Sequence, residues 1–597
     1  MLNVSDPLYN RSGPSLLARQ EPDPAPPPVV GEWPVLWGKL ESRLNVLYNW
    51  RLSWWQHWGY LARYILPRRY HWAVTPNTQN RGLPINQDIV DPTGTLAMQK
   101  CAGGMMSGLT SPSRPWFKLR PRSPNSTLDH ASAVWIDEVE SLIYDTLARS
   151  NFYDSMTQMY EDLVVFGTAP MILYEDDTHV IKCYNPCAGE YFLATDSSFR
   201  VTSLFRKFTM TILQIVDMFG AENIPATVRA LWANKGNTLE TEYIVAHAIE
   251  PNYQVEQSSS LWPKKFAFRE AYWLWGVAAE APLSIGGYDD PPFIAPRWAT
   301  TSNDAYGRSP GMVAMYDIMQ LQVMTRRKAE AIEKQVRPPL LASTELKNEP
   351  SSIAPGHVTY VSNMGAGMGM RPIYEVKPEL AYMTADMQQI QIRIKEEFFN
   401  DLFLMIEQTD PAKRMTATEV TARQQEKLQM LGPVIERVQH EGLAPALNRV
   451  FAIMTRRGLF PPMPEALRAQ PLQIEFVSML SQAQKASATI GMEQLLTVAG
   501  SIAQVNPEVL DNFNSDEFLR TYAGMTLVPQ KILNSADQVA KVRQARAKAQ
   551  QQKAAQESAV GMVAGATDVA KSLSETQIGG GQTALQAMIS GIPPGAM

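Results

Sequence analysis

From Ser309 to Arg337 the chain reads as one uninterrupted helix, and this segment limits the fold more than any other. Ser309 is a good N-cap, and Pro310 falls in the first turn, where a missing N–H costs nothing. Pro338-Pro339 stops the helix. Its length is about 27 residues, or roughly 40 Å at 1.5 Å per residue. Met312, Val313, Met315, Ile318, Met319, Leu321, Val323 and Met324 spread around most of its circumference, and its far end carries Arg326, Arg327, Lys328, Glu330, Glu333 and Lys334. A non-helical insert follows, Leu340 to Val376, with the run Gly365, Gly367, Gly369. A second helix is expected over Pro378–Glu407. There Met387, Ile390, Ile394, Phe398, Leu402 and Met405 form one stripe, and Ile392, Phe399, Phe403 and Ile406 another. A helix apolar on more than one face must be covered on more than one face. Periodicity leaves two solutions open: burial inside one large α-domain, or a ring in which each subunit's helix is flanked by two neighbours.

Elsewhere the pattern changes several times. Residues 1–32 are Pro-rich (Pro22, Pro24, Pro26 and Pro27 among them) and read as an extended, poorly ordered arm. Between Trp33 and Leu66, Trp50, Trp54, Trp58 and Leu61 recur at helical spacing. Helices are expected from Asp91 or Thr93 to about Leu109, and over 129–160. The middle is β-rich. Met171–Tyr174 and Val180–Tyr184 flank a polar stretch, Glu175–His179, that reads as a hairpin turn. Glu190–Thr195, Val201–Thr211, Glu242–Ile249 and Phe266–Val277 read as further strands, with a short helix over Ile212–Phe219. After the helix pair comes a polar break, Gln408 to Met415. Thr416 then opens a helix through a capping box with Glu419, running towards Arg457 with kinks at Gly432-Pro433 and near Pro445. From Ser481 the composition is helical, and residues 561–597 are small, Gly-rich and expected to be mobile. The fold class is α+β, mainly helical.

Composition narrows the chemistry. Lys plus Arg is 54 and Asp plus Glu is 59, a formal charge of −5. Tight binding of duplex DNA rests on neutralising phosphates, so an acidic chain points to weak, sliding contact at most. Three cysteines, Cys101, Cys183 and Cys187, give no disulfide framework and suit a reducing compartment. No run approaches the roughly 18 apolar residues of a membrane span, and no signal peptide is visible. The bulk reading is an intracellular, soluble, multi-domain protein. The phosphate-cradling Gly-x-x-x-x-Gly-Lys loop of an ATP-driven motor is missing, as are His-Glu-x-x-His and Gly-x-Ser-x-Gly. Cys183 and Cys187 lack the paired spacings of a zinc site and read as strand-packing residues. Glu175-Asp176-Asp177 and Asp289-Asp290 read as solvated turn residues. No catalytic residue, metal ligand or cofactor site is expected.

Several blocks, taken in order, resemble the portal, or head-to-tail connector, proteins of short-tailed bacteriophages. They are Ile89-Val-Asp-Pro-Thr-Gly94, the run from Ser107 to Leu119, Ser150-Asn-Phe-Tyr153 and Asp162–Ala169, then Arg297-Trp298, Tyr306-Gly-Arg-Ser-Pro-Gly311, Arg337-Pro-Pro-Leu340, and Arg414–Val420 continuing to Leu431-Gly-Pro-Val434. The resemblance covers about residues 35–470. It implies a portal fold assembled as a ring, a dodecamer in this family. On this sequence the flexible arm would be 1–32, the first part of an α/β wing 33–308, and the stem helix 309–337. The clip would be 338–376, the returning stem helix 377–407, the tunnel loop 408–415, and the long helix with the wing return 416–480. A helical crown would follow over 481–560 and a flexible tail over 561–597. The DNA-facing tunnel loop would be Gln408, Thr409, Asp410, Pro411, Ala412, Lys413, Arg414 and Met415, with Lys413 and Arg414 touching phosphates. Implied partners are copies of the same chain, the terminase during packaging, tail adaptor proteins at the clip, major capsid and scaffolding proteins, and double-stranded DNA in transit, with no membrane. The site of action would be one vertex of a virion assembled in the host cytoplasm. Competing readings are a packaging nuclease-ATPase and a capsid or scaffold protein that builds shells.

Overall fold

The computed structural model describes residues 33–69, 87–121, 129–234, 237–252, 266–277, 281–337, 340–341, 347, 371–372, 380–400, 432–468, 472–477, 491–502, 514–525, 532, 534, 536–575, 577–578 and 582–583. The chain divides into two units, residues 1–126 with 138–484, and residues 127–137 with 485–597. Helix and sheet are mixed, and helix predominates.

The described chain opens with α1 (Trp33–Tyr64), followed by α2 (Thr93–Leu109), β1 (Phe117–Pro121), α3 (His130–Arg149) and α4 (Phe152–Phe166). Asp91 serves the start of α2 from outside the helix, its carboxylate accepting the Thr93 N–H at 2.8 Å. The single helix expected over 129–160 is two. At the break Ser150 Oγ accepts the Phe152 N–H, and the Asn151 amide behaves like a piece of strand. It donates to the Cys183 carbonyl and accepts the Cys183 N–H, each at 2.8 Å. A short polar side chain that finds backbone partners outside the helix competes with it and ends it.

The hairpin expected after α4 is present as β2 (Met171–Asp176) and β3 (Val180–Tyr184), antiparallel. The Asp176 carboxylate holds its turn by accepting the Thr178 and His179 N–H groups. Next comes an antiparallel meander: β4 (Tyr191–Thr195), β5 (Val201–Thr211), β6 (Glu242–Pro251), β7 (Phe268–Leu274) and β8 (Ser284–Tyr288). Between β5 and β6 lie α5 (Ile212–Phe219), opened by a Thr211–Gln214 capping box, and α6 (Ala226–Ala233). Alternation along each strand covers both faces of the sheet. On one face Leu40, Leu44 and Leu47 of α1 meet Phe192, Phe205, Ala246, Ala248 and Trp273. On the other, Ile212, Ile215 and Phe219 meet Val245, Tyr272 and Leu274. The short β9 (Phe293–Ile294) pairs with β2.

After the sheet come α7 (Pro310–Val336), the two-residue strands β10 (Leu340–Leu341) and β11 (Arg371–Pro372), α8 (Leu380–Glu397), α9 (Ala444–Arg456) and β12 (Leu472–Phe476). β12 pairs with β1, Phe117 opposite Phe476, across most of the chain. The distortion expected near Pro445 is a turn of π-helix, Gln439–Leu443, directly ahead of α9. Proline has no N–H to give the preceding turn, and a widened turn accommodates that loss. Of the acidic residues expected to be solvated turns, Asp176 does hold its turn, but Glu175, Asp177 and Asp290 are tied to α9 and Arg457. Arg456 binds both Glu175 (2.5 Å) and Asp290 (2.9 Å), Arg449 binds Asp290 (2.8 Å), and Arg457 binds Asp177. Cys101 and Cys183 are buried and Cys187 partly so, and burial pushes all three thiols up to about 12.

In the second unit lie α10 (Ser515–Met525) and α11 (Ala536–Glu575), with a minimal pair, β13 (Gln577–Ile578) and β14 (Gln582–Thr583), after them. α11 runs through Gly561 to Glu575, into the stretch expected to be a mobile tail. A helix-interior glycine costs only about 1 kcal/mol relative to alanine, and the surrounding alanines carry the helix past it.

Within the meander, Arg206, His247 and Glu270 lie side by side on β5, β6 and β7, all buried. Arg206 Nε donates to His247 Nδ1 at 2.8 Å, which fixes the imidazole proton on Nε2, where it is donated to Glu270 Oε1 at 2.9 Å. Burial pushes His247 down to about 4; the Glu270 hydrogen bond opposes this and the Arg206 charge adds to it. In the unfolded chain the same ring titrates near 6.5. The unfolded state therefore binds the extra proton first, and stability falls as pH drops from about 6.5 towards 4, levelling off below that. A His247→Gln variant keeps one acceptor and one donor but cannot titrate. Its melting temperature should fall less steeply across that window than that of the parent; parallel slopes would contradict the assignment.

Candidate functional site

α7 and α8 are an antiparallel pair. Lys328 Nζ donates to Thr384 Oγ1 at 2.9 Å, and Arg393 binds Asp317 at 2.6 Å, so positions that ascend on one helix meet positions that descend on the other. At the far end Leu340 lies opposite Pro372 and Leu341 opposite Arg371, which ties together the two ends of the excursion between the helices.

The near end is seated in the first unit by the blocks that the sequence scatters along its length. Ser309 Oγ accepts the Met312 N–H at 3.0 Å, as expected of an N-cap, and also donates to the Val165 carbonyl at 2.6 Å. The Gly307 N–H donates to Thr168 Oγ1 at 2.7 Å, and the Trp298 N–H to the Gly167 carbonyl at 2.9 Å. At this crossing Gly167 ends α4 with φ +77°, and a Cβ on either Gly167 or Gly307 would overlap the other's carbonyl oxygen. Arg297 completes the seat with a two-pronged pair to Glu441 (2.7 and 3.0 Å), while its remaining N–H groups reach the Asp304 and Phe199 carbonyls.

Halfway along, Asp91 binds both helices at once. Buried Gln322 of α7 accepts the Val90 and Asp91 N–H groups (2.7 and 2.8 Å) and donates to the Asp91 carbonyl at 2.8 Å. Gln391 of α8 donates to the Asp91 carboxylate at 2.9 Å. Asp88, just upstream, joins Arg63 of α1 to Arg326 of α7. The direction and spacing of the pair are thus set by one loop. Gln322 and Gln391 were not singled out from the sequence; the available signal was a lone amide in the apolar run Leu321-Gln322-Val323.

The two faces of the pair differ. Met312, Met315, Ile318 and Leu321 of α7 are buried, as are Met387, Ile390 and Ile394 of α8 and Phe398 beyond it. On the opposite side of α7, Val313, Tyr316 and Val323 are 67%, 73% and 58% exposed, and on α8 Tyr382 and Ile392 are exposed as well. Val313, Tyr316 and Val323 stand three and seven residues apart, a spacing that puts them on one stripe. Burial inside a single α-domain would have covered both sides. Among the described residues only one side is covered. The charges on the pair balance: Arg326, Arg327, Lys328, Lys334, Arg393 and Lys395 against Asp317, Glu330, Glu333, Asp386, Glu396 and Glu397. The expected DNA-facing residues, Gln408 to Met415, lie outside the described residues, as do Leu402, Phe403, Met405 and Ile406. Among the described residues no group of three or more His, Cys, Asp and Glu could hold a metal ion, and no helix is long and apolar enough to cross a membrane.

Replacing Gln322 by Leu keeps the volume but removes the partner of three part-buried backbone groups, and water can satisfy these only in part. Denaturant unfolding of Gln322→Leu should show a loss of about 1 kcal/mol or more, against almost none for exposed Gln320→Leu; equal effects would remove Gln322 from its place at the joint. A charge at Phe398 should abolish folding or assembly, and an undiminished yield of assembled protein would contradict its burial.

Residues 38–533 match the sequence model of the bacteriophage head to tail connecting proteins. A protein described as a portal protein, from Salmonella phage epsilon15, is 37% identical over 540 residues, which is 90% of this chain and 95% of the relative. One described as a probable portal protein, from Bordetella phage BPP-1, is 39% identical over 527 residues, 88% of this chain and 92% of the relative. With the match running through the seat, the helix pair and the sheet alike, the chain belongs to the bacteriophage head-to-tail connecting protein family.

Proposed function

We propose that this chain is the subunit of a closed ring at one vertex of a phage capsid, and that double-stranded DNA passes through the ring during packaging and ejection. The observation that carries this reading is the uncovered second face of α7. A rigidly seated helix pair with an apolar stripe on its outer side needs a cover, and in a closed ring a neighbouring copy supplies it for every subunit. The balanced charge of the pair suits a conduit, because a channel that neutralised many phosphates would hold the polymer instead of letting it slide. The role is structural: the sequence has no phosphate-cradling loop, its family is described as head to tail connecting proteins, and its relatives as portal proteins.

Finer assignments follow from the family resemblance. Residues 33–308 and 416–480 form the wing, α7 and α8 belong to the stem, 338–376 form the clip, and 481–560 form the crown. Gln408 to Met415 form the tunnel loop, where Lys413 and Arg414 meet phosphates once per subunit. The ring docks the terminase during filling and tail adaptors at the clip afterwards, and it is a dodecamer set among capsid and scaffolding proteins.

Negative-stain images of the purified protein should show discs with a central hole. Shells would favour a capsid or scaffold role, and ATP hydrolysis by the purified chain would favour a packaging enzyme. Lys413→Ala combined with Arg414→Ala should leave discs intact and impair genome packaging or retention; normal packaging by that variant would take the loop out of the channel.

A further inference from the structure

The cations of this chain are not evenly spread. Between Asp537 and Glu557 there is no acidic residue, and that stretch of α11 carries five cations, Lys541, Arg543, Arg546, Lys548 and Lys553. All five are exposed. Arg543 is paired with Asp516 of α10, and the other four have no ion pair among the described residues. The formal charge of the whole chain is −5, so without these five the remainder would carry twice that negative charge. The mild acidity of the sequence therefore averages an acidic body with one strongly basic rod.

We propose that α11 from Lys541 to Lys553 is a binding surface for the phosphate backbone of nucleic acid, contacted by charge without reading of bases. Helix geometry favours this occupant over an acidic protein. At 100° per residue Lys541 and Lys548 fall on one side of the helix, and Arg543, Arg546 and Lys553 on roughly the other. A protein partner docks on one face and needs apolar anchors there. Between Lys541 and Lys553 the uncharged residues are Ala and Gln apart from Val542, so no such face exists. A long polyanion has no such requirement, since charge on every side of a slender helix remains usable. The basic stretch is about 18 Å long at 1.5 Å per residue, close to the length of five phosphates along one strand at about 3.4 Å each. Arg543 can exchange Asp516 for a phosphate, because that ion pair is exposed and such pairs hold weakly. The inference deepens the proposed channel function by giving the ring a second, stickier contact with the genome, on a different part of the chain from the charge-balanced α7–α8 pair, and it rests on that reading for its biological setting.

The test uses the full-length protein and a fluorescein-labelled duplex of arbitrary sequence, about 30 base pairs long, followed by anisotropy at several salt concentrations. The parent should bind with steep salt dependence. A variant with Gln at 541, 543, 546, 548 and 553, checked for retained helix by circular dichroism, should bind at least tenfold more weakly at low salt. Its log–log salt slope should flatten by about one for each cation removed. Arginine at 541, 548 and 553 should preserve binding. An intact-helix Gln variant that binds as tightly as the parent would overturn the proposal. If poly-glutamate of equal charge displaces the duplex as well as unlabelled DNA does, the segment is a general acceptor of acidic partners and the nucleic-acid assignment falls. Imaging the same samples separates the two readings. Rings whose duplex binding is unaffected by the Gln changes would refute this inference alone, whereas charge-dependent binding by a protein that forms no ring would refute the channel alone.

Discussion

Everything distinctive about this molecule depends on how firmly one end of a helix pair is held while its outer face is left bare. The hold is made of backbone contacts more than of side-chain packing. Gly167 and Gly307 touch main chain to main chain, Ser309 bridges its own helix to the Val165 carbonyl, and Gln322 satisfies three backbone groups around Asp91. Such contacts tolerate little: glycine cannot be enlarged, and an amide cannot be exchanged for a hydrocarbon without leaving buried polar groups unpaired. Held in this way, the pair presents Val313, Tyr316 and Val323 as an exposed stripe among the described residues.

The same logic explains why the blocks that carry the family resemblance are so widely scattered. Ile89–Gly94, Asp162–Ala169, Arg297-Trp298 and Tyr306–Gly311 are far apart in the chain, yet all meet around α7, the last three at its seat and Ile89–Gly94 halfway along it. Ser150–Tyr153 proves to be a junction, where Asn151 stands in for a strand residue beside Cys183. Five of the scattered blocks are thus one structural joint together with the helix break beside its hairpin.

Local rules made much of the fold legible. The Ser309-Pro310 start, the stop at Arg337, the Met171–Tyr184 hairpin, and the full extents of β5 and α5 follow from caps, prolines and alternation. Elements stabilised by distant partners were not legible. β1 and β12 exist because they pair with each other over some 350 residues, a relation absent from any local window. β8 has glycine at its centre and owes its place to β7. Glu175 and Asp290 carry no mark that distinguishes a solvated turn from a partner for Arg449 and Arg456. Of the candidate site, the apolar circumference of α7 was visible from the start, but which of its faces the chain would cover was not. The face toward the chain is joined to it by Asp91, which belongs to the Ile89–Gly94 block, and by Gln322 and Gln391, which belong to no motif.

The claim at the centre is that copies of this chain cover the outer stripe of α7. Hydroxyl-radical footprinting of Tyr316 in the purified assembly, compared with protein diluted or weakly denatured until it is a folded single copy, addresses that stripe directly. Strong labelling in the single copy and protection in the assembly is the expected result. Equal labelling in both states, with assembly confirmed by mass, would mean that the stripe stays bare and that another surface holds the copies together.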